Sequence, residues 1–359
     1  MLYNKWVALG GVMKKILFLL FAAAIAAAGC APKGQIKEEI METRHYIQPL
    51  NPDVQREHVS FKNRYGITLA GDLYTAKNMD KNAKYPAIIV GAPYGGVKEQ
   101  GPCVYAGELA RRGFVVLTFD QPFMGESGGE PRHVSSADMF AESFSAGVDY
   151  LGLLKFVDRN KIGVIGICGS GGFALSAAQV DVRIKAVATA SMYDMTSFHK
   201  RMNKEELQKA KEKLAAQRWI DAENGYPQYI PSFPEKPLTK EESDKVQREL
   251  PEPDAEWFRF YAVPRGHHPH ARGGFTTTSD ASMLNFKALD YIDEISPRPI
   301  LFVIGDRAHS KFFSEEAYAA AKEPKEIYVV KDAEHIDLYD RTDRIPFDKL
   351  EDFFKTNLK

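Results

Sequence analysis

One short segment of the sequence places two nucleophilic side chains among small residues. It follows an apolar run at 161–167 and precedes a helical pattern, and it reads Gly166-Ile167-Cys168-Gly169-Ser170-Gly171-Gly172. A sharp turn from a buried strand into a helix holds the residue at its apex in a strained backbone conformation, so its near neighbours must be small. The segment therefore predicts a nucleophile elbow, a turn that presents a thiol or a hydroxyl to a substrate.

Two registers of this elbow fit the sequence. With Cys168 at the apex the flanking small residues are Gly166 and Ser170, and with Ser170 at the apex they are Cys168 and Gly172. The nucleophile of such a turn comes directly after the strand, which favours Cys168. Chemistry separates the two less sharply, because a thiol beside a histidine can ionise near neutral pH while a serine needs base assistance during attack. We expect Cys168 to be the nucleophile and keep Ser170 as the alternative.

His335 has the sequence position of a general base. It follows the last predicted strand and precedes the C-terminal helix, and none of the other histidines among the nine in the chain shares that context. Nucleophile, acid and histidine follow one another in this order in hydrolases with such an elbow. His267, His268 and His270 lie close together, but no second group of ligands accompanies them, so we expect a loop and no metal site.

A carboxylate should orient the histidine, and the amides of two loops should stabilise an oxyanion. Asp306 follows the predicted strand 299–305 and is the preferred acid, and Asp194, after the preceding strand, is the alternative. The amide of Gly169, next to the nucleophile, and that of Tyr94, in the glycine-rich turn after strand 85–91, are the expected oxyanion donors. No cofactor is required by this chemistry.

The elements that must position these residues alternate between strand and helix. Apolar runs at 85–91, 114–120, 161–167, 184–191 and 299–305 are typical of strands buried on both faces, and helical patterns separate them. Such alternation predicts a mostly parallel, twisted sheet with helices on both faces. It breaks at 195–275, a charged and aromatic stretch with many prolines, which we interpret as a cap inserted into a core formed by 58–194 and 276–359.

The first residues resemble an export signal. Lys14 and Lys15 precede a short apolar run at 16–28, which is too short to span a membrane comfortably, and Ala27-Ala28-Gly29-Cys30 resembles a bacterial lipobox. We expect a lipoprotein-type signal peptide at 1–30, lipidation of Cys30, and a polar tether at 31–57; Met13 would be the natural start. The protein would then be exported and anchored to a membrane of the cell envelope, facing the periplasm or the cell exterior.

The bulk composition excludes some partners. Hydrophobic residues make up 44% of the 359 residues, enough for a large core, and the formal net charge is −1. A nearly neutral chain has no electrostatic reason to bind nucleic acid. After Cys30 only Cys103 and Cys168 remain, too few for a disulfide framework, and a bridge between them would consume the expected nucleophile.

With these residues in place, the chain resembles the α/β-hydrolase superfamily, and within it the dienelactone-hydrolase-related branch of bacterial hydrolases. The resemblance covers about residues 58–358 and is carried by the elbow at 166–172, a Gly-x-Cys motif, and by Tyr193-Asp194-Met195. Two residues depart from the pattern. Ser170 stands where dienelactone hydrolases keep glycine, and Ala308 stands where superfamily members commonly carry the acid.

Three functions remain open from the sequence. The first is hydrolysis of a small-molecule ester or lactone through an acyl-enzyme on Cys168, with the cap shaping a partly apolar pocket. The second keeps the fold but acts on peptides or transfers acyl groups. The third is a non-catalytic binding lipoprotein of the cell envelope, since fold does not fix function and the usual acid position is occupied by Ala308.

Overall fold

The structure is a computed structural model that describes residues 45–359. In these residues, eight strands form one sheet. The strands are β1 (Val54–Lys62), β2 (Thr68–Ala76), β3 (Tyr85–Gly91), β4 (Val115–Phe119), β5 (Val157–Ile167), β6 (Ile184–Ala190), β7 (Ile300–Gly305) and β8 (Lys325–Val330). Their order across the sheet is β1-β2-β4-β3-β5-β6-β7-β8. β1 pairs with β2, and β2 with β4, in antiparallel fashion, and all other neighbours are parallel.

Helices follow the strands and cover the sheet. They are α1 (Gly101–Arg111), α2 (Ala137–Leu153), α3 (Gly169–Val180), α4 (Lys204–Asn224), α5 (Lys240–Glu249), α6 (Asp254–Tyr261), α7 (Asp280–Asn285), α8 (Lys311–Ala320), α9 (Asp337–Asp340) and α10 (Phe347–Asn357). Because the central strands β3, β4 and β7 are apolar and almost wholly buried, they need cover on both faces. The predicted α/β-hydrolase fold is confirmed.

The predicted cap stretch 195–275 lies between β6 and β7 in the chain and contains α4, α5 and α6. α4 and α5 expose most of their charged residues, whereas α6 buries Glu256, Phe260 and Tyr261. Two isolated antiparallel bridges, Tyr229 with Thr276 and Ser232 with Gly273, join the segment after α4 to the end of the cap. α6 is therefore the cap helix that faces the body of the protein.

Two sequence-based boundaries differ from the structure. β1 begins at Val54, inside the predicted tether 31–57, and Tyr46 donates a 2.8 Å hydrogen bond to Asp72 while its ring lies 3.2 Å from the Arg56 guanidinium. The helical pattern of the sequence at 280–295, before β7, does not form one helix: α7 ends at Asn285, and the amide of Ala288 donates to the Thr196 hydroxyl instead of continuing a helical ladder.

The predicted signal segment 1–30, Cys30 and tether residues 31–44 lie outside the described residues. Within 45–359, no helix has the length and apolar character needed to cross a membrane.

Candidate active site

Cys168 lies at the apex of a turn between β5 and α3. Its backbone angles are φ 53° and ψ −122°, in a region that side-chain-bearing residues rarely adopt. Its amide donates to the Ala190 carbonyl at 2.9 Å, and its own carbonyl accepts from the Tyr193 amide at 2.8 Å, so the strained turn is held against the end of β6. A Cβ on Gly166 would collide with the Ser170 carbonyl, which explains the small residue there.

Ser170, the alternative nucleophile, does not lie at this apex. It lies inside the first turn of α3, and its buried hydroxyl donates to the Ala92 carbonyl at 2.5 Å. The hydroxyl therefore ties the elbow to the loop after β3 instead of facing outward with Cys168. The geometry is that of a cysteine elbow.

The expected oxyanion donors lie beside the Cys168 sulfur. Burial raises the pKa of this thiol to about 11, and hydrogen bonding with Tyr339 and with the Gly169 and Tyr94 amides only partly opposes that rise. The Tyr94 ring stacks on Phe275 of the cap, with 4.3 Å between ring centroids. The two amides expected to bind an oxyanion are thus already directed at one point, which the sulfur occupies in this structure.

His335 is completely buried and has a hydroxyl on each ring nitrogen. Nδ1 lies 2.5 Å from Oγ of Ser310, and Nε2 lies 2.9 Å from Oη of Tyr339. Burial, and secondarily the charge of His309, lower the pKa of His335 well below its ordinary value. The Tyr339 hydroxyl therefore contacts the expected base His335 and also acts on the thiol of the expected nucleophile Cys168.

The structure does not bring either expected acid to His335. Asp194 accepts from the amide and hydroxyl of Thr196, at 2.9 and 2.6 Å, and so closes its own turn. Asp306 has a buried Oδ1 without a hydrogen-bond partner, and its amide donates to Val330. Ser310 holds the Nδ1 position instead, because the loop after β7 carries Ala308 where the acid would stand and continues to Ser310 at the start of α8.

A carboxylate that the sequence did not reveal approaches from the cap. Oε1 of Glu256 accepts from the Ile336 amide at 3.0 Å, and its Oε2 lies 2.8 Å from Nδ1 of His309. Nε2 of His309 in turn lies 2.7 Å from Oη of Tyr193. The structure buries Glu256. In the sequence, its position among the aromatic residues of Asp254–Tyr261 was the one signal that could have singled it out.

Aromatic rings enclose the space around the two reactive side chains. The Trp257 ring centroid lies 4.9 Å from that of His335, and the Tyr193 ring lies 5.2 Å from it. Phe260 contacts the Tyr339 ring edge-on at 5.3 Å. Cys168 itself is only 6% exposed. A substrate would therefore meet a mostly aromatic surface close to the Glu256 carboxylate, and α6 of the cap would have to move for it to enter.

The sequence profile of the alpha/beta hydrolase family matches residues 85–345, so the chain belongs to this family. Protein PA2218 of Pseudomonas aeruginosa is 49% identical over 95% of this chain and 94% of its own length. The crystal structure of PA2218 superposes with a TM-score of 0.80, at 45% identity, over 92% of this chain and 100% of that one. Protein YcjY of Escherichia coli is 34% identical over 79% of this chain and 92% of its own length.

More distant relatives carry named activities. The thiohydrolase aneE of Aspergillus aculeatus is 25% identical over 71% of this chain and 77% of its own length. The structure of Est1E from Butyrivibrio proteoclasticus with ferulic acid bound has a TM-score of 0.56 at 16% identity, covering 84% of this chain and 99% of that one, which shows the fold alone. The chain is thus an α/β-hydrolase with esterase and thiohydrolase neighbours.

Proposed function

We propose that this protein hydrolyses carboxylic esters or lactones through an acyl-enzyme on Cys168. The observation that carries the proposal is the strained apex at Cys168, with the amides of Gly169 and Tyr94 directed at its sulfur. Strain of this kind persists only where the surrounding structure enforces it, and it is concentrated at reactive sites. The cysteine elbow also supports a place near the dienelactone-hydrolase-related branch of the family.

In this mechanism the sulfur leaves the two amides and attacks the substrate carbonyl, whose oxygen takes its place between them. His335 receives the thiol proton and returns it to the leaving alkoxide, and a thioester forms on Cys168. A water molecule, deprotonated by His335, then releases the acid. Because burial raises the thiol pKa and lowers that of His335, both groups rest neutral and the proton moves only during attack.

The surroundings favour an uncharged acyl group. The rings of Tyr193 and Trp257 border the site, and the Glu256 carboxylate lies near enough for its charge to raise the pKa of Cys168. A substrate with a second carboxylate near its reacting carbonyl would be repelled by Glu256 in this low-dielectric space. We therefore infer neutral esters or lactones with an apolar or aromatic acyl part.

The test compares Cys168→Ala, Ser170→Ala and Cys103→Ala on p-nitrophenyl esters of increasing acyl size and on a lactone panel. Cys168→Ala should lose turnover. Cys103→Ala should keep it, because Cys103 is a buried thiol on α1 that donates to the Glu99 carbonyl. Ser170→Ala should lose part of the rate through the displaced Ala92 loop. Full turnover by Cys168→Ala would overturn the proposal, and a wild type inert on every substrate would favour a binding role.

We also propose that the protein is exported and held at a cell-envelope membrane by a lipid on Cys30. The supporting observation is the sequence Ala27-Ala28-Gly29-Cys30 after a short apolar run. Radiolabelled palmitate should enter the wild type and not Cys30→Ser, and equal labelling of both would contradict it.

A further inference from the structure

The hydroxyl of Tyr339 lies between the nucleophile and the base. It is 2.9 Å from Nε2 of His335, and it lies close enough to the thiol of Cys168 to lower the pKa of that thiol through hydrogen bonding. In a simple dyad the histidine would take the thiol proton directly. Here the nitrogen that should do so already has the phenol as its partner, so the route from sulfur to nitrogen passes through Oη of Tyr339.

The position of this hydroxyl is fixed from several sides. Tyr339 is on α9, four residues after His335, and its side chain is completely buried. Phe260 packs edge-on against its ring, and the ring of Tyr261 of the cap lies 6.5 Å from it between centroids. Two hydrogen bonds from Arg265, at 2.7 and 2.9 Å, hold the neighbouring Asp340 and so fix the end of α9. Rotation of the phenol away from the site would break its contacts with Phe260 and Tyr261.

The other nitrogen of His335 fixes the direction of proton flow. If Nδ1 donates its hydrogen to Oγ of Ser310, then Nε2 has a free lone pair and accepts from Tyr339. A phenol can accept one hydrogen bond through its oxygen while donating another, which is the requirement for passing a proton along a chain. The phenol then begins and ends each transfer neutral.

We propose that Tyr339 is a catalytic proton relay between Cys168 and His335, an inference that rests on the proposed function. As the sulfur attacks, the S–H bond breaks and its proton bonds to Oη of Tyr339. The original O–H bond of Tyr339 breaks in the same event, and that proton bonds to Nε2 of His335. The C=O π bond breaks as the bond from sulfur to carbon forms, and its electron pair goes to the carbonyl oxygen. The products are a tetrahedral oxyanion held by the Gly169 and Tyr94 amides, a neutral Tyr339 and an imidazolium. The reverse hop delivers the proton to the leaving group.

The direct test is Tyr339→Phe, with Tyr105→Phe as the matched control. Tyr105 is equally buried and donates its hydroxyl to the Leu338 carbonyl at 2.6 Å, next to the same helix, but it does not contact Cys168 or His335. Tyr339→Phe should lower kcat by about 10²-fold or more, in the range of general acid–base catalysis, with little change in KM. Tyr105→Phe should keep kcat near that of the wild type.

A second measurement on the wild type does not depend on how the variant folds. The rate of acylation in mixtures of H₂O and D₂O should bend away from a straight line, because two protons move in one step. A straight plot for the wild type would overturn the relay, and so would an unchanged or raised kcat for Tyr339→Phe. Cys168→Ala separates the two proposals: if it stays active the proposed function fails, and if it is inactive while Tyr339→Phe is fully active only the relay fails.

Discussion

Ser310 determines how His335 behaves as a base. A carboxylate on Nδ1 would stabilise the imidazolium and raise the histidine pKa, whereas the Ser310 hydroxyl, 2.5 Å away, orients the ring without supplying a charge. Burial then keeps the pKa of His335 well below its ordinary value. Since the neutral form is the one that accepts a proton, the proposed base should still accept one in acid.

This has a consequence for the pH profile of kcat/KM. Because the His335 pKa lies well below 6.5, the wild-type profile should remain flat as the pH falls through 6.5. Ser310→Asp adds a charge at Nδ1 and raises that pKa, so its profile should fall on the acid side at a higher pH than that of the wild type. Stopped-flow or steady-state kinetics between pH 4.5 and 8, roughly the range in which an ordinary histidine titrates, would measure both.

Ser310→Ala is the control for this change, because it removes the orienting hydroxyl without adding charge. It should lower kcat at every pH while leaving the shape of the profile unchanged. An acid limb near pH 6.5 in the wild type, with no displacement in Ser310→Asp, would contradict the assignment of His335 as a weakly basic group.

For single residues, the sequence predicted the place in the fold correctly where chain order and the position after a strand determine which residue lies there. Cys168 and Tyr94 follow strands β5 and β3 directly, and His335 follows β8, so each could be placed at the same edge of the sheet. Ser310 could not be assigned to His335 in that way, because its position depends on how the loop after Gly305 folds. The pattern indicated a carboxylate at Asp306, and the contact is made four residues later.

At the scale of elements, α6 joins the cap to the core through one side chain. Glu256 accepts from the Ile336 amide, next to His335, and from His309, so a residue of the cap fixes two residues of the core loops. It is 96% buried in this position. A buried amide that loses its acceptor costs about 1–3 kcal/mol, and the partly buried His309, which would lose a carboxylate partner, adds to that. Closure of α6 and the alignment of His335 are therefore linked.

Glu256→Ala should lower both stability and activity. We expect a loss of about 1–3 kcal/mol in the free energy of unfolding and a fall in kcat/KM of roughly tenfold or more, because about 1.4 kcal/mol of lost alignment corresponds to a factor of ten. Glu252→Ala is the matched control: Glu252 is also acidic and close in sequence, but exposed, with its ion pair to Arg259 at the surface. Thermal unfolding and ester kinetics on both variants measure these losses. Equal unfolding free energies and equal kcat/KM for the two variants would show that Glu256 does not couple cap and core.

The strand–helix alternation predicted the core elements well because their strands are buried on both faces and read as continuous apolar runs. It gave little about the cap, where α4 is charged nearly all round and buries only Leu214. Which cap helix would face the site was not visible, because α6 owes its burial to contacts with residues more than fifty positions away in sequence, among them His309 and Ile336.

At the scale of the whole molecule, a buried group of charges connects the loops that carry the site. The Lys98 ammonium lies within 2.5–3.0 Å of carboxylate oxygens of Glu99, Asp120 and Glu126. Burial opposes its charge, but Asp120 and Glu99 more than compensate and raise its pKa. These residues link the loop after β3, which holds Tyr94, to the loop after β4. Gln100, next in the chain, donates to the Gly266 carbonyl of the cap.

His268 of the cap packs against this group in its neutral form. Its side chain is 1% exposed, Nδ1 accepts from the His270 amide at 3.1 Å, and Nε2 has no hydrogen-bond partner and lies 4.0 Å from Oε2 of Glu99. Burial, and then the positive charges around it, lower the pKa of His268 to about 3. These charges belong to His270, Lys98, His45 and His267. Below pH 6.5, therefore, the unfolded chain binds a proton at His268 and the native state does not.

The sign of the resulting pH dependence is determined by that difference. Between pH 6.5 and 3 the unfolded chain protonates His268 and the native state does not, so this residue lowers the free energy of unfolding by about 1.4 kcal/mol for each pH unit of acidification.

His268→Asn removes this effect, and its amide oxygen can still accept from the His270 amide. The stability of the wild type relative to His268→Asn, measured by urea unfolding at several pH values, should therefore fall steadily below pH 6.5. His270→Asn, at an exposed position of the same loop, removes one of the charges that lower the His268 pKa, so it should show the same fall over a narrower range of pH. A pH-independent difference between the wild type and His268→Asn would mean that His268 becomes charged in the folded protein and that the cap opens to water around Lys98.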